Sequence, residues 1–186
     1  AEDFAVCNGN DPLVQQLCGS IRSRVLRFFT GPPEKINGAA QGAIITPRQI
    51  AVVLPGIVQG RIDLERTCLI GPHNRENIAA AALAALVVGA DLAGIQKAVD
   101  QFPGLAHRLE AVATVGGVSF VNDSKATNVD AVMRALECFD KPVILIMGGR
   151  NKGYDFSALQ SHIRRHVKKL IVIGEAGSEI QSVLGN

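Results

Sequence analysis

Several features that would assign a chain quickly are missing from these 186 residues. The four cysteines stand at positions 7, 18, 68 and 138, and no two form C-x-x-C, which removes the zinc and thioredoxin patterns. Scattered in this way they read as reduced, partly buried thiols of a cytoplasmic protein, and nothing in their spacing supports a disulfide. Charged residues make up only 19% and the net charge is +2, with no Lys/Arg run, so a polybasic nucleic-acid-binding arm is excluded. No charged-then-apolar leader opens the sequence. The longest apolar run, residues 78–88, is rich in alanine and too short for a membrane span. The phosphate loop G-x-x-x-x-G-K-[ST], the G-x-S-x-G elbow and a Cys–His signature are all absent, which leaves nucleophilic hydrolase chemistry without support.

Nearly half of the chain (47%) is hydrophobic, enough for a packed core. The first seventy residues read as β-rich. Strands are expected over 5–7, 24–29 (stopped by Gly31-Pro32-Pro33), 43–46, 51–54 and 66–70, with a short helix over 13–18. From Gly71 the pattern becomes helical. An alanine-rich helix over 76–88 has Asn74 as its expected N-cap and Gly89 as its stop, and Asp91 caps a second helix reaching Gln101. Phe102-Pro103-Gly104 breaks that helix and marks a domain boundary, giving domains 1–104 and 105–186.

Beyond the boundary the chain alternates. Strands are expected over 118–121, 143–147 and 170–173, and helices over 128–138, 156–167 and 179–184. Such alternation implies a parallel sheet with right-handed crossovers, and the continuous apolar runs of the last two strands imply cover on both faces. The expected class is α/β: a β-rich part with helices, then a Rossmann-like parallel sheet. Three parallel strands are about half of a doubly wound sheet, so both ends of the chain look like cuts in a longer protein. Strand edges left unpaired by such a cut invite self-association.

Two turns carry the chemistry. Strand 118–121 runs into Asn122-Asp123-Ser124-Lys125-Ala126-Thr127-Asn128, which opens a helix. Ligands of open α/β sheets bind at the carboxyl ends of strands, and helix N-termini offer free N–H groups to anions. Asp123 can accept from ribose hydroxyls, Lys125 can meet a phosphate or carboxylate, and Thr127 can cap the helix. By residue type alone the stretch reads equally as a well-capped turn. Gly148-Gly149-Arg150-Asn151-Lys152-Gly153 follows the next strand in the same topological place, and there Lys152 is either a second anion contact or a solvated turn residue. Arg108, in His107-Arg108-Leu109-Glu110, can clamp phosphates or form a surface ion pair. Asn77 can bond a base edge or simply occupy a first helical turn. His162 and His166 have zinc-ligand spacing, but the basic residues around them favour a solvated face.

In order and spacing, Gly71-Pro72-His73-Asn74-Arg75-Glu76-Asn77, His107 to Glu110, Asn122 to Asn128 and Gly148 to Gly153 resemble the Mur ligases. The form Asn-Asp-Ser-Lys-Ala-Thr-Asn is most similar to the branch that joins D-glutamate to UDP-N-acetylmuramoyl-L-alanine in peptidoglycan precursor synthesis. The resemblance implies a cytoplasmic enzyme using ATP with Mg2+ to form an acyl phosphate. It further implies that Asn77, Arg108, Asp123 and Lys125 bind ATP, and that Thr127 and Lys152 bind D-glutamate. The chain looks like the end of the central ATP-binding domain followed by the first half of the C-terminal domain. Without phosphate loop or metal ligands it is expected to be inactive alone. A stand-alone nucleotide-binding module, or another Mur or folylpolyglutamate-type ligase, is the alternative.

Overall fold

The computed structural model describes residues 3–31 and 41–185, so Pro32 and Pro33, expected to end a strand, lie outside the described residues. The chain divides into two compact units, one ending at Pro103 and the other beginning at Gly104.

The first unit is a five-stranded sheet under two helices. Its elements are β1 (Phe4–Asn8), α1 (Pro12–Cys18), β2 (Arg24–Thr30), β3 (Gly42–Ile45), β4 (Gln49–Leu54), β5 (Val58–Asp63), α2 (Pro72–Val87) and α3 (Leu92–Gln101). The sheet runs β1-β2-β3-β4-β5, parallel through β3 and antiparallel from β3 to β5. Period-two alternation points Ile50, Val52 and Leu54 of β4 inward, where they meet Ile78, Ala82, Leu83 and Leu86 of α2. Alanines at 79 and 82 let the helix lie close to the sheet.

Four expectations are corrected in this unit. No strand forms over 66–70; the fifth strand is instead β5, which returns from β4 through a turn closed by Ile57 N–H donating to Leu54 O (2.9 Å). Its sequence, Val-Gln-Gly-Arg-Ile-Asp, has two large apolar residues, enough for a strand only because β4 is its neighbour. The α2 helix begins at Pro72, whose fixed φ suits a first helical position, so Gly71 (φ 93°) is the N-cap. Asn74 lies inside the helix and donates back to Ile70 O at 2.7 Å. Cys7 and Cys18 are joined as a disulfide between β1 and the end of α1, which brings β1 and α1 together; Cys68 remains an exposed thiol.

The second unit holds β6 (Glu110–Val115), β7 (Val118–Asn122), α4 (Val129–Leu136), β8 (Val143–Gly148), a 3-10 turn (Phe156–Leu159), α5 (Gln160–His166), β9 (Val167–Ile173) and α6 (Gly177–Leu184). Leu136, Phe156, Leu159, Ile163, Ile180 and Leu184 form its core against one face of the parallel pair β8–β9. Here too the sequence expectation is amended. Of three strands expected to be parallel, only β8 and β9 pair so. β7 forms an antiparallel hairpin with β6 around Gly116-Gly117, both at positive φ as a two-residue hairpin turn requires. The apolar runs of β8 and β9 are covered on one face: Val143, Leu145 and Met147 pack on the core, whereas Ile144, Ile146, Ile171 and Ile173 are exposed. The single helix expected over 156–167 is a 3-10 turn plus α5, and β9 starts directly at Val167. His162 stacks on His166 and places Nε2 3.3 Å from Glu137.

The cap of α4 is Asn128, whose side chain accepts from Ala131 N–H at 2.8 Å, rather than Thr127. Asn128→Ala should lower the stability of this unit by about 1 kcal/mol. A urea titration followed by circular dichroism would show the shift, and an unchanged midpoint would mean that the helix start is held by other bonds.

Candidate functional site

The hairpin delivers the end of β7 to the segment that precedes β6; three bonds stitch the two and a fourth, from His107 to Glu110, braces that segment. Asp123 Oδ1 accepts from Leu109 N–H at 3.1 Å. Lys125 N–H donates to His107 O at 3.0 Å. Asn122 Nδ2 meets His107 Nδ1 at 2.9 Å. Glu110 Oε2 accepts from His107 N–H at 2.7 Å. These bonds hold His107 (φ 64°) and Leu109 (φ 47°) in a left-handed conformation that non-glycine residues rarely adopt. Residues in such regions cost on the order of 1–3 kcal/mol each and concentrate at ligand sites.

The product of this geometry is a paired Arg108 and Asp123, with Arg108 Nη1 3.8 Å from Asp123 Oδ1. Both are largely shielded, at 29% and 15% side-chain exposure, so the pair is screened less than a surface one. The second carboxylate oxygen, Asp123 Oδ2, is buried with no hydrogen-bond partner among the described residues, which leaves an acceptor unmet. Lys125 and Thr127 follow on the exposed turn into α4, and the Lys125 ammonium has no ion pair among the described residues.

The second turn leaves the carboxyl end of β8. Glycine is required at Gly148 (φ 154°), where a Cβ would lie 1.8 Å from Ile173 O. Arg150 grips Glu175 through two bonds (Nε to Oε2 2.9 Å, Nη2 to Oε1 3.1 Å), which raises the Arg150 pKa above its ordinary value. Asn151 donates to both Glu179 oxygens. Asp155 accepts from Ser157 through side chain and backbone, which lowers its pKa and caps the 3-10 turn. Lys152 is exposed at the tip of the turn.

Of the residues singled out in the sequence, Arg108, Asp123 and Lys125 are brought together. Lys152 and Thr127 belong to the same unit on turns of their own, and Asn77 lies on α2 in the other unit, with Nδ2 3.5 Å from Asn74. Asn122 stood in the first motif without a role of its own, and Glu175 and Glu179 were not among the residues singled out. A signal for Glu175 was present: opposite charges follow the glycines that close β8 and β9. Among the described residues no cluster of His, Cys, Asp or Glu could hold a metal ion, and no helix is long and apolar enough to cross a membrane.

Comparison with known proteins bears on this arrangement. Residues 107–185 match the family described as Mur ligase, glutamate ligase domain. The chain is 43% identical over 184 residues to UDP-N-acetylmuramoylalanine--D-glutamate ligase of Desulfosudis oleivorans, an alignment covering 99% of this chain and 39% of the relative. It is 46% identical over 186 residues to the enzyme of the same name from Desulfatibacillum aliphaticivorans, covering 98% and 39%. It therefore spans about two fifths of the length of these relatives. Among solved structures, MurF from Acinetobacter baumannii shares the fold with a TM-score of 0.70 at 16% identity, over 98% of this chain and 41% of that one. Residues 107–185 thus match the Mur ligase glutamate ligase domain, and nearly the whole chain is similar to about two fifths of enzymes that carry the D-glutamate ligase name.

Proposed function

We propose that this chain is part of an ATP-dependent, cytoplasmic ligase of peptidoglycan precursor synthesis that joins D-glutamate to UDP-N-acetylmuramoyl-L-alanine through an acyl phosphate. The observation that supports this best is the stitched pair of Arg108 and Asp123 beside Lys125, with one buried carboxylate oxygen still lacking a donor. In this reading a ribose hydroxyl of ATP donates to Asp123 Oδ2, Arg108 meets the phosphates, and Lys125 lies beside them. Asn77 contacts the adenine, an assignment carried by the resemblance of its motif. Thr127 and Lys152 bind the carboxylates of D-glutamate and hold its amine for attack. Such a reaction depends mainly on positioning and charge neutralisation, which these groups provide.

Domain 1–104 is then the end of the central ATP-binding domain and domain 105–186 the beginning of the Rossmann-like C-terminal domain. No ligand set for Mg2+ forms among the described residues, and Asp123 is already committed to Leu109 and Arg108, so no step is assigned here to the metal. The phosphate loop is absent from the sequence, so the isolated chain should be inactive; the edges of its larger sheet, β1 and β5, are where self-association would occur.

The experiment is a substrate-specific kinetic test in a complete ligase containing this chain. Lys152→Ala should raise the KM for D-glutamate about tenfold, the scale of one lost bond to a charged group, and leave the KM for ATP unchanged. An unchanged D-glutamate KM, or equal turnover with a different amino acid, would sink this reading.

A further inference from the structure

The turns that leave β8 and β9 are fastened side by side. Gly149 N–H donates to Ile173 O at 3.1 Å and Ala176 N–H donates to Gly149 O at 2.9 Å. A Cβ on Gly174 would lie 3.0 Å from Gly149 N, so the two backbones are in contact. Above this contact the Arg150–Glu175 fork and the bonds from Asn151 to Glu179 tie the first turn to the start of α6. Asn151 Oδ1 also accepts from Tyr154 N–H at 2.8 Å, which closes residues 151–154 into a small ring. Phe156, buried in the core, anchors the far side. Lys152 and Gly153 occupy the tip of the ring, and Lys152 has no hydrogen bond or ion pair among the described residues.

Arg150 and Glu175 are 77% and 69% exposed, and ion pairs in such places contribute little to overall stability. A two-point fork plus a two-point amide contact restricts geometry instead. All of this restriction falls on one loop, whose tip carries a cation with no ion pair among the described residues. We propose that Glu175 and Glu179 are positioning residues: through Arg150 and Asn151 they hold the 149–153 loop so that the Lys152 ammonium meets a carboxylate of the incoming amino acid. The inference rests on the reading of Lys152 as a D-glutamate contact. A loop fixed before the substrate arrives loses less freedom on binding, so the clamp acts on amino-acid affinity.

Two measurements separate the clamp from that reading. In the 186-residue chain, trypsin should nick the Lys152–Gly153 bond about fivefold faster in the Glu175→Ala, Glu179→Ala double variant, as expected for loosening an exposed fastening. The charge swap Arg150→Glu with Glu175→Arg should return the nicking rate toward the native value. In a complete ligase the double variant should raise the D-glutamate KM about fivefold with unchanged ATP KM and unchanged melting temperature, a split that a merely structural role would not give. Nicking unaffected by the double variant overturns the clamp. Faster nicking with an unmoved D-glutamate KM, while Lys152→Ala does move it, overturns the positioning role and leaves the function reading intact. If Lys152→Ala itself has no effect, the function reading fails; positioning of Lys152 for the amino acid falls with it, and the nicking rates still report whether the clamp holds the loop.

Discussion

Asp123→Ala should weaken ATP binding by a complete ligase containing this chain roughly 100-fold, about 2.7 kcal/mol. The side chain has two jobs. Its Oδ2 awaits a donor, and the loss of a buried hydrogen bond to a charged acceptor costs on the order of 1.5–3 kcal/mol. Its Oδ1 holds the Leu109 N–H and faces Arg108. Without that anchor the strained backbone at His107 and Leu109 can relax, and Arg108 is no longer held toward the nucleotide. Asp123→Asn separates the jobs. The amide oxygen can still accept from Leu109, so the backbone should stay in place, while an NH2 replaces the Oδ2 acceptor and the charge facing Arg108 is lost, for a weakening of about tenfold. Amide hydrogen exchange at Leu109 gives the second reading: fast in the alanine variant, protected in the asparagine variant. Equal ATP affinities for the two variants would remove the anchoring role.

Asp123, Lys125 and Lys152 follow strands at turns rich in capping residues and glycine, which made them candidates; residue type alone left them equally readable as capped or solvated turns, and the resemblance to the Mur ligases supplied their expected roles. That Asp123 also holds Leu109 was not legible, because the bond joins residues 14 apart in sequence and exists only once β6 and β7 pair. β6 itself, Glu-Ala-Val-Ala-Thr-Val, has weak alternation and a bulge between Ala111 and Ala113. β5 fails the same way: Gly60 and three polar residues dilute its pattern until β4 supplies the ladder. Strands with dense apolar content, such as β4 and β8, were read correctly to within a residue or two. The apolar content of β8 misled in one respect, because Ile144 and Ile146 suggested cover that the described residues do not provide. At α2 the informative residue was Pro72 rather than Asn74, since a proline at the first helical position fixes the start more firmly than a nearby Asn.

The two units have separate cores, and this predicts how the chain melts. Leu83 of α2 and Leu159 of the 3-10 turn are both fully buried, one in each core. Truncating either to alanine removes the transfer energy of the lost methyl groups and leaves a cavity, together about 3 kcal/mol. In a unit of this size that loss should lower its melting temperature by roughly 10–20 °C. Because no residue belongs to both cores, Leu83→Ala should move the transition of the first unit and Leu159→Ala that of the second. Scanning calorimetry would resolve the two, and hydrogen exchange would assign them: Ile50 and Val52 amides for the first, Leu145 and Leu170 amides for the second. A single transition displaced equally by both substitutions would mean that the cores unfold as one cooperative body.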